Sequence, residues 1–128
     1  MQSALWNVIR RWAICYLLSL HSETVYRDDG YWWKIDAWEV KTTQFIPHGI
    51  RYSLTLHDQY NTRVFGIDNA HGIKPPKKGK YSGRMVYDHV HRNSRDKGYP
   101  YEFISAAQLL EDFFSKVDEV IKKREKRG

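Results

Sequence analysis

Apolar and polar residues alternate most clearly between residues 50 and 57. An extended chain there places four apolar side chains on one face and four polar side chains on the other: Ile50, Tyr52, Leu54 and Leu56 against Arg51, Ser53, Thr55 and His57. This period of two, with one apolar face, predicts a half-buried β-strand. The short segment DQYN then leads to TRVFGID, so a second strand is expected to form an antiparallel hairpin with the first.

Two further segments have the composition of strands. YWWKIDAWEV, residues 31–40, is rich in aromatic and β-branched residues and follows the turn-forming segment RDDG. RMVYDHVH, residues 84–91, has a similar character and is followed by the turn-like RNSRDKGYP. Residues 69–83, rich in glycine, proline and lysine, are predicted to be a loop. Together these segments predict a sheet of about four strands.

Helical periodicity marks both ends of the chain. Residues 4–20 carry apolar side chains at helical spacing. Ser105 and Gln108 have the spacing of a capping box and introduce a C-terminal helix with one apolar stripe. The stripe should close over the apolar face of the sheet. We therefore predict an α+β fold, with a small antiparallel sheet, N-terminal and C-terminal helices on one face, and the other face free.

Length and composition indicate one domain, residues 1–128, with 41% hydrophobic residues and a packed core. Residues 1–22 are interpreted as a helical extension and residues 122–128 as a basic tail. The apolar run WAICYLLSL has nine residues, whereas a membrane span needs about 20, so no membrane association is expected. The single Cys15 excludes an intramolecular disulfide and fits a cytoplasmic protein.

Positive charge is concentrated in one part of the sequence. The chain has a net charge of +6, and residues 73–98 contain eight basic side chains against two acidic ones. A local basic field attracts polyanions, which favours a nucleic acid as partner. The alternative is a lysine-rich loop that only keeps a small protein soluble.

The segment VYDHVHRNSR carries the candidate chemistry. On a strand, His89 and His91 share one face, and we expect both rings to emerge into a solvent-reachable, cationic hollow. Cleavage of RNA through attack by its own 2′-hydroxyl needs a base that removes the hydroxyl proton, an acid that protonates the leaving oxygen, and a cation beside the phosphate. His89 and His91 could be the base and the acid, with Arg84 or Arg92 as the cation. This route needs no metal or other cofactor.

Carboxylates and further cations complete the predicted site. Asp88 or Asp68 would orient an imidazole, although a regular strand points Asp88 away from both histidines unless a bulge intervenes. The residues predicted to bind the RNA phosphate backbone are Lys77, Lys78, Lys80, Arg92 and Arg95.

Other interpretations of the histidines remain open. A metal site could be built from His89, His91 and His71, because H-x-H on a strand brings two ring nitrogens together. The two histidines could also be exposed structural residues of a strand. No phosphate-binding glycine loop, G-x-S-x-G or HExxH motif is present.

Five motifs in order resemble the TumE-type toxin family of prokaryotic toxin–antitoxin modules, over about residues 24–121. They are DDG, PHGIRYSL, RVFGIDNAHG, YDHVHR and PYEFISAAQLLEDFFSKVDEVI. The family's Gly-x-Asp-Asn signature is matched by Gly66, Asp68 and Asn69, and its Asp-His-x-His signature by Asp88, His89 and His91. The long basic loop at 73–83 and residues 1–22 depart from the family pattern.

The resemblance implies a growth-inhibiting toxin whose partner is a separate, DNA-binding antitoxin. Combined with the histidines and the basic region, it favours a type II toxin that acts on RNA as a metal-independent ribonuclease. The alternatives are a non-enzymatic module that binds RNA or the ribosome, and a histidine-based metal-dependent hydrolase. Self-association of the chain stays open.

Overall fold

The structure is a computed structural model that describes residues 4–74, 77–83 and 85–127, without the side chain of Trp6. Helices α1 (Ala4–Ser19) and α2 (Ala106–Arg127) flank six strands, which are β1 (Glu23–Tyr26), β2 (Trp32–Glu39), β3 (Ile50–His57), β4 (Arg63–Asp68), β5 (His89–His91) and β6 (Tyr99–Pro100). The strands form one antiparallel sheet in sequence order. The predicted α+β fold is confirmed, with six strands in the described residues instead of about four.

The two additional strands lie at the edges of the sheet. β1 has four residues and is mostly exposed, so no alternation marks it in the sequence. β6 has two residues and contains Pro100, which is tolerated in an edge strand because a missing N–H costs no ladder hydrogen bond there. β5 is shorter than predicted, and Val86 makes only an isolated bridge with Ile73.

The core lies on one face of the sheet, where both helices pack. Tyr52, Leu54 and Leu56 of β3 are fully buried, as the alternation predicted. α2 contributes its predicted stripe, including the fully buried Phe113, and α1 contributes Leu17. Burial of one such side chain stabilises the fold by about 1.5–3 kcal/mol. Neither helix, as far as the structure describes them, could cross a membrane.

The predicted cap of α2 is half formed. The Oγ atom of Ser105 accepts a hydrogen bond from the backbone N–H of Gln108 at 3.1 Å. The Gln108 side chain donates to Asp112 at 2.8 Å and does not return to Ser105. The predicted basic tail from residue 122 continues α2 to Arg127, where positive side chains complement the negative end of the helix dipole.

The face of the sheet opposite the helices is called the open face. The register pairs Asp68 with His89 and Gly66 with His91. Asp68 also lies opposite Ser53, which is on the polar face of β3. The side chains of Asp68, His89 and His91 therefore share the open face, and Val90 points to the core.

Candidate functional site

A carboxylate and two imidazoles converge at the end of β4. Nε2 of His89 lies 3.3 Å from Oδ1 of Asp68, and Nε2 of His91 lies 3.5 Å from Oδ2 of the same carboxylate. The two rings are nearly perpendicular, with an interplanar angle of 84° and centroids 4.6 Å apart. The antiparallel register produces this convergence, because it sets the last residue of β4 beside the first residue of β5.

Hydrogen bonds at Nδ1 fix the orientation of the His89 and His91 rings. Nδ1 of His89 lies 2.6 Å from the carbonyl oxygen of Tyr87, and Nδ1 of His91 lies 2.8 Å from that of Asp96. A carbonyl oxygen only accepts, so both Nδ1 atoms carry a proton and donate it. In the neutral ring the inner nitrogen, Nε2, is then unprotonated and carries the lone pair.

Both Nε2 atoms are buried and have no hydrogen-bond partner among the described residues. Burial lowers the pKa of His89 below its ordinary value, although the charge of Asp68 opposes this shift. Near neutral pH the shift favours the uncharged His89 ring, with its Nε2 lone pair directed inward.

His71 completes the group from the surface. Its ring centroid lies 5.0 Å from that of His89 and 6.3 Å from that of His91. One ring nitrogen from each of the three histidines lies within 4.8 Å of the others, and only His71 is exposed. We call Asp68, His71, His89 and His91 the histidine cluster. Its members could share a proton or coordinate a cation, and His71 is the member that reaches solvent.

The expectation that both β5 histidines would be solvent-reachable is wrong. The exposed fraction is 0% for His89 and 4% for His91. β6 pairs with β5, and Ile73 and Gly98 lie over the rings. A period of two predicts which face of a strand a side chain occupies, but it does not predict whether a later segment covers that face.

The covering turn, residues 92–98, is held by Asp96. Its carboxylate accepts hydrogen bonds from the backbone N–H groups of Arg92 and Gly98, both at 3.0 Å, and from Nε of Arg92 at 2.9 Å. Burial would raise the pKa of Asp96, but these hydrogen bonds outweigh it and lower the pKa to about 2. The turn also presents the Asp96 carbonyl to His91, so the same residue orders the cover and one ring of the cluster.

Asp88 lies on the core side of the sheet, as a regular strand requires. Its Oδ2 accepts hydrogen bonds from the hydroxyl of Tyr52 at 2.7 Å and from Nε2 of His48 at 2.9 Å. Nδ1 of His48 accepts the N–H of Ile50, which leaves the ring proton on Nε2. Of the two carboxylates considered from the sequence, Asp68 is the one placed against the β5 histidines. Asp88 instead orients His48 on the core side of the sheet.

The predicted phosphate-binding residues are exposed at the surface. Lys77, Lys78 and Arg95 are exposed. Lys80 forms an ion pair with Glu102 at 3.1 Å, and Arg92 forms one with Asp96. An isolated bridge pairs Ile73 with Val86 and closes the lysine-rich loop between them. Because His71 lies just before Ile73 and His89 lies just after Val86, both ends of this loop are tied to the cluster. Arg84 lies outside the described residues.

Arg51 was not selected as a site residue from the sequence, and Asn69 was named there only as part of the family signature. Arg51 lies on the open face, and its guanidinium donates to the carbonyl of Ala70 at 2.7 Å, next to His71. The alternation of β3 placed Arg51 on this face, so its position was available as a signal. Asn69 is fully buried, and its side chain bonds to the backbone of Ile50 and Tyr52, which fixes the chain directly after Asp68.

The comparisons with known proteins give one match. The chain matches no curated protein and no solved structure. The model of the family described as Toxin TumE matches residues 18–121, which is most of the 128-residue chain. The matched region contains all six strands and the entire histidine cluster, whereas nearly all of α1 precedes it. The resemblance found in the sequence motifs is confirmed: this chain belongs to the Toxin TumE family.

Proposed function

We propose that this toxin acts on RNA and that the histidine cluster cleaves it. The observation that carries the proposal is the Asp68 carboxylate set between the inner nitrogens of His89 and His91, with His71 opening the group to solvent. A toxin of this type is expected to have a separate antitoxin as its partner, because toxin–antitoxin modules encode the two proteins together.

The cluster contains the groups that transfer of the 2′-hydroxyl proton requires. A neutral imidazole with a free Nε2 lone pair is a competent base, and a second imidazole can return a proton to the leaving oxygen. Asp68 stabilises whichever ring becomes positive. His71 faces solvent already, whereas His89 and His91 would touch RNA only after the turn at residues 92–98 moves.

The surroundings of the cluster suit a polyanion. Exposed Lys77, Lys78 and Arg95 supply positive charge, and Arg51 adds a guanidinium on the open face. The register places the side chain of Trp38 on this same face, with 42% of its surface exposed. An aromatic ring beside cationic groups can stack on an unpaired base while the cations hold phosphate.

Growth inhibition by single variants tests the proposal. We expect His71→Ala, His89→Gln and His91→Gln to abolish growth inhibition when the toxin is expressed without its antitoxin. His21→Ala is the matched control, because His21 is exposed and lies outside the cluster. Circular dichroism of each purified variant establishes that it folds. Full toxicity of folded His89→Gln and His91→Gln variants would refute a catalytic cluster.

The burial of His89 and His91 favours a second candidate, a non-enzymatic module that binds RNA or the ribosome. In this case the basic surface binds phosphate and the buried rings only support the fold. Binding of labelled RNA separates the two functions. Cleavage predicts that His71→Ala retains RNA affinity and loses toxicity. A binding module predicts that substitution of Lys77 and Lys78 removes both RNA affinity and toxicity. It also predicts that the wild-type protein forms no RNA fragments.

A further inference from the structure

We propose that the histidine cluster binds a divalent transition metal of the zinc class, through one ring nitrogen each of His71, His89 and His91. Asp68 supplies the fourth ligand through a carboxylate oxygen and offsets part of the charge of the metal. This inference goes beyond the proposed function, because it holds whether or not RNA is the target of the toxin. A bound metal would occupy the Nε2 lone pairs of His89 and His91, so the acid–base chemistry proposed above belongs to the metal-free cluster.

The inner nitrogens of the two buried histidines lack hydrogen-bond partners among the described residues. Nε2 of His89 lies 3.3 Å from one oxygen of Asp68, and Nε2 of His91 lies 3.5 Å from the other. Lone pairs of nitrogen and of a carboxylate repel one another, so a cation between them would convert a repulsive arrangement into a favourable one.

Backbone hydrogen bonds hold the two buried rings in the orientation that metal ligands need. Both Nδ1–H groups donate to backbone carbonyls, of Tyr87 for His89 and of Asp96 for His91. Metal-binding histidines characteristically donate their other ring N–H to a carbonyl or carboxylate, which fixes the tautomer and the direction of the lone pair. The two rings are thus oriented as ligands before any metal arrives.

The spacing of the donor atoms fits a small coordination sphere. Ligands at about 2.0–2.1 Å from a tetrahedral zinc ion lie about 3.3–3.4 Å from one another. The separations between Asp68 and the two inner nitrogens have this size. The three histidine nitrogens lie within 4.8 Å of one another, so the widest pair needs to close by at most roughly 1.5 Å.

The donor types select among metals. Imidazole nitrogens favour zinc, nickel, copper and iron, whereas magnesium and calcium prefer oxygen ligands. Three imidazoles with one carboxylate therefore favour Zn²⁺ over Mg²⁺. Because His71 is exposed and the other ligands are buried, the metal would lie between the surface ring of His71 and the buried rings of His89 and His91.

Metal titration of the full-length chain tests the inference. The protein is stripped with a chelator, and Zn²⁺ is titrated by calorimetry, with Mg²⁺ as the comparison ion. We expect one Zn²⁺ per chain and no comparable binding of Mg²⁺. Co²⁺ as a spectroscopic probe should give visible absorption bands typical of nitrogen ligands in a four-coordinate site.

Variants assign the site to the cluster. His71→Ala removes an exposed ligand and should weaken Zn²⁺ binding by at least about tenfold, and Asp68→Asn should weaken it by about tenfold. His57→Ala, also on the open face but outside the cluster, should bind like the wild type. No Zn²⁺ bound by folded wild-type protein, or unchanged affinity in His71→Ala, would overturn the inference. Neither readout involves RNA, so failure here leaves the proposed function standing, and loss of RNA cleavage leaves the metal site standing.

Discussion

Gly98 lies directly against the imidazole of His89, so closely that a Cβ atom on residue 98 would be 2.9 Å from Cδ2 of the ring. The same atom would be 3.3 Å from Cε1 of His91. The φ angle of Gly98 is 106°, which disfavours any residue with a side chain. This one glycine therefore allows the covering turn to close over both buried rings of the cluster.

Gly98→Ala should consequently destabilise the protein and displace the cluster. Gly79→Ala is the matched control, because Gly79 has a similar φ of 95° but an added Cβ would meet nothing within 4 Å. Both variants incur backbone strain, and only Gly98→Ala also forces the imidazoles apart. We expect its free energy of unfolding to fall below that of Gly79→Ala by about 1–3 kcal/mol, measured by urea denaturation. Equal losses in the two variants would show that the ring contact is unimportant.

Asp96 should make the covering turn sensitive to acid. The pKa of Asp96 is lowered to about 2 in the folded protein, compared with about 3.9 in an unfolded chain. A lowered folded-state pKa means that the carboxylate stabilises the fold above about pH 4 and that this contribution is lost as the pH falls toward 2. Asp96→Asn lacks it at every pH.

Urea denaturation of the wild type and Asp96→Asn at pH 5, 4, 3 and 2.5 checks this prediction. The wild type should be the more stable protein at pH 5, and the difference should shrink steadily toward pH 2.5. Other carboxylates titrate in the same range, but they do so in both proteins and largely cancel in the comparison. A difference that does not depend on pH would contradict the role given to the Asp96 carboxylate.

The two carboxylates near β5 should differ in function. Asp68 faces His89 and His91, whereas Asp88 bonds Tyr52 and His48 on the opposite side of the sheet. Asp68→Asn should therefore abolish growth inhibition, because the amide cannot stabilise a positively charged ring. Asp88→Asn should remain toxic as long as it folds, with a stability loss of about 1–3 kcal/mol from its weakened hydrogen bonds.

Growth curves of cells expressing each variant, with immunoblots of soluble protein, distinguish the two carboxylates. The assignment fails if Asp88→Asn is soluble and harmless while Asp68→Asn still inhibits growth.

Much of the sheet could be predicted from single strands. The alternation in β3 assigned Tyr52 and Leu54 to the core and Arg51 to the open face, and the H-x-H spacing put His89 and His91 on one face. These predictions succeed because the period of two is local, so it needs no knowledge of neighbouring strands.

The parts that were missed depend on contacts distant in sequence. The pairing of Asp68 with His89 rests on the register between β4 and β5, which are joined by a long loop without a turn that fixes it. The burial of His91 depends on Gly98 and on the two-residue β6, and neither has a periodic signal. Sequence could therefore name all four members of the cluster, but it could not choose between Asp68 and Asp88 or predict the turn that covers the rings.

An assay of RNA cleavage by the purified toxin tests directly whether the histidine cluster is a nuclease site. Total RNA is incubated with wild-type protein, with His71→Ala and with His21→Ala, and new 5′ ends are mapped by sequencing. If the histidine cluster cleaves RNA, the wild type and His21→Ala produce discrete new 5′ ends, and folded His71→Ala produces none. Intact RNA with active, growth-inhibiting wild-type toxin, or the same new ends with His71→Ala, would contradict it.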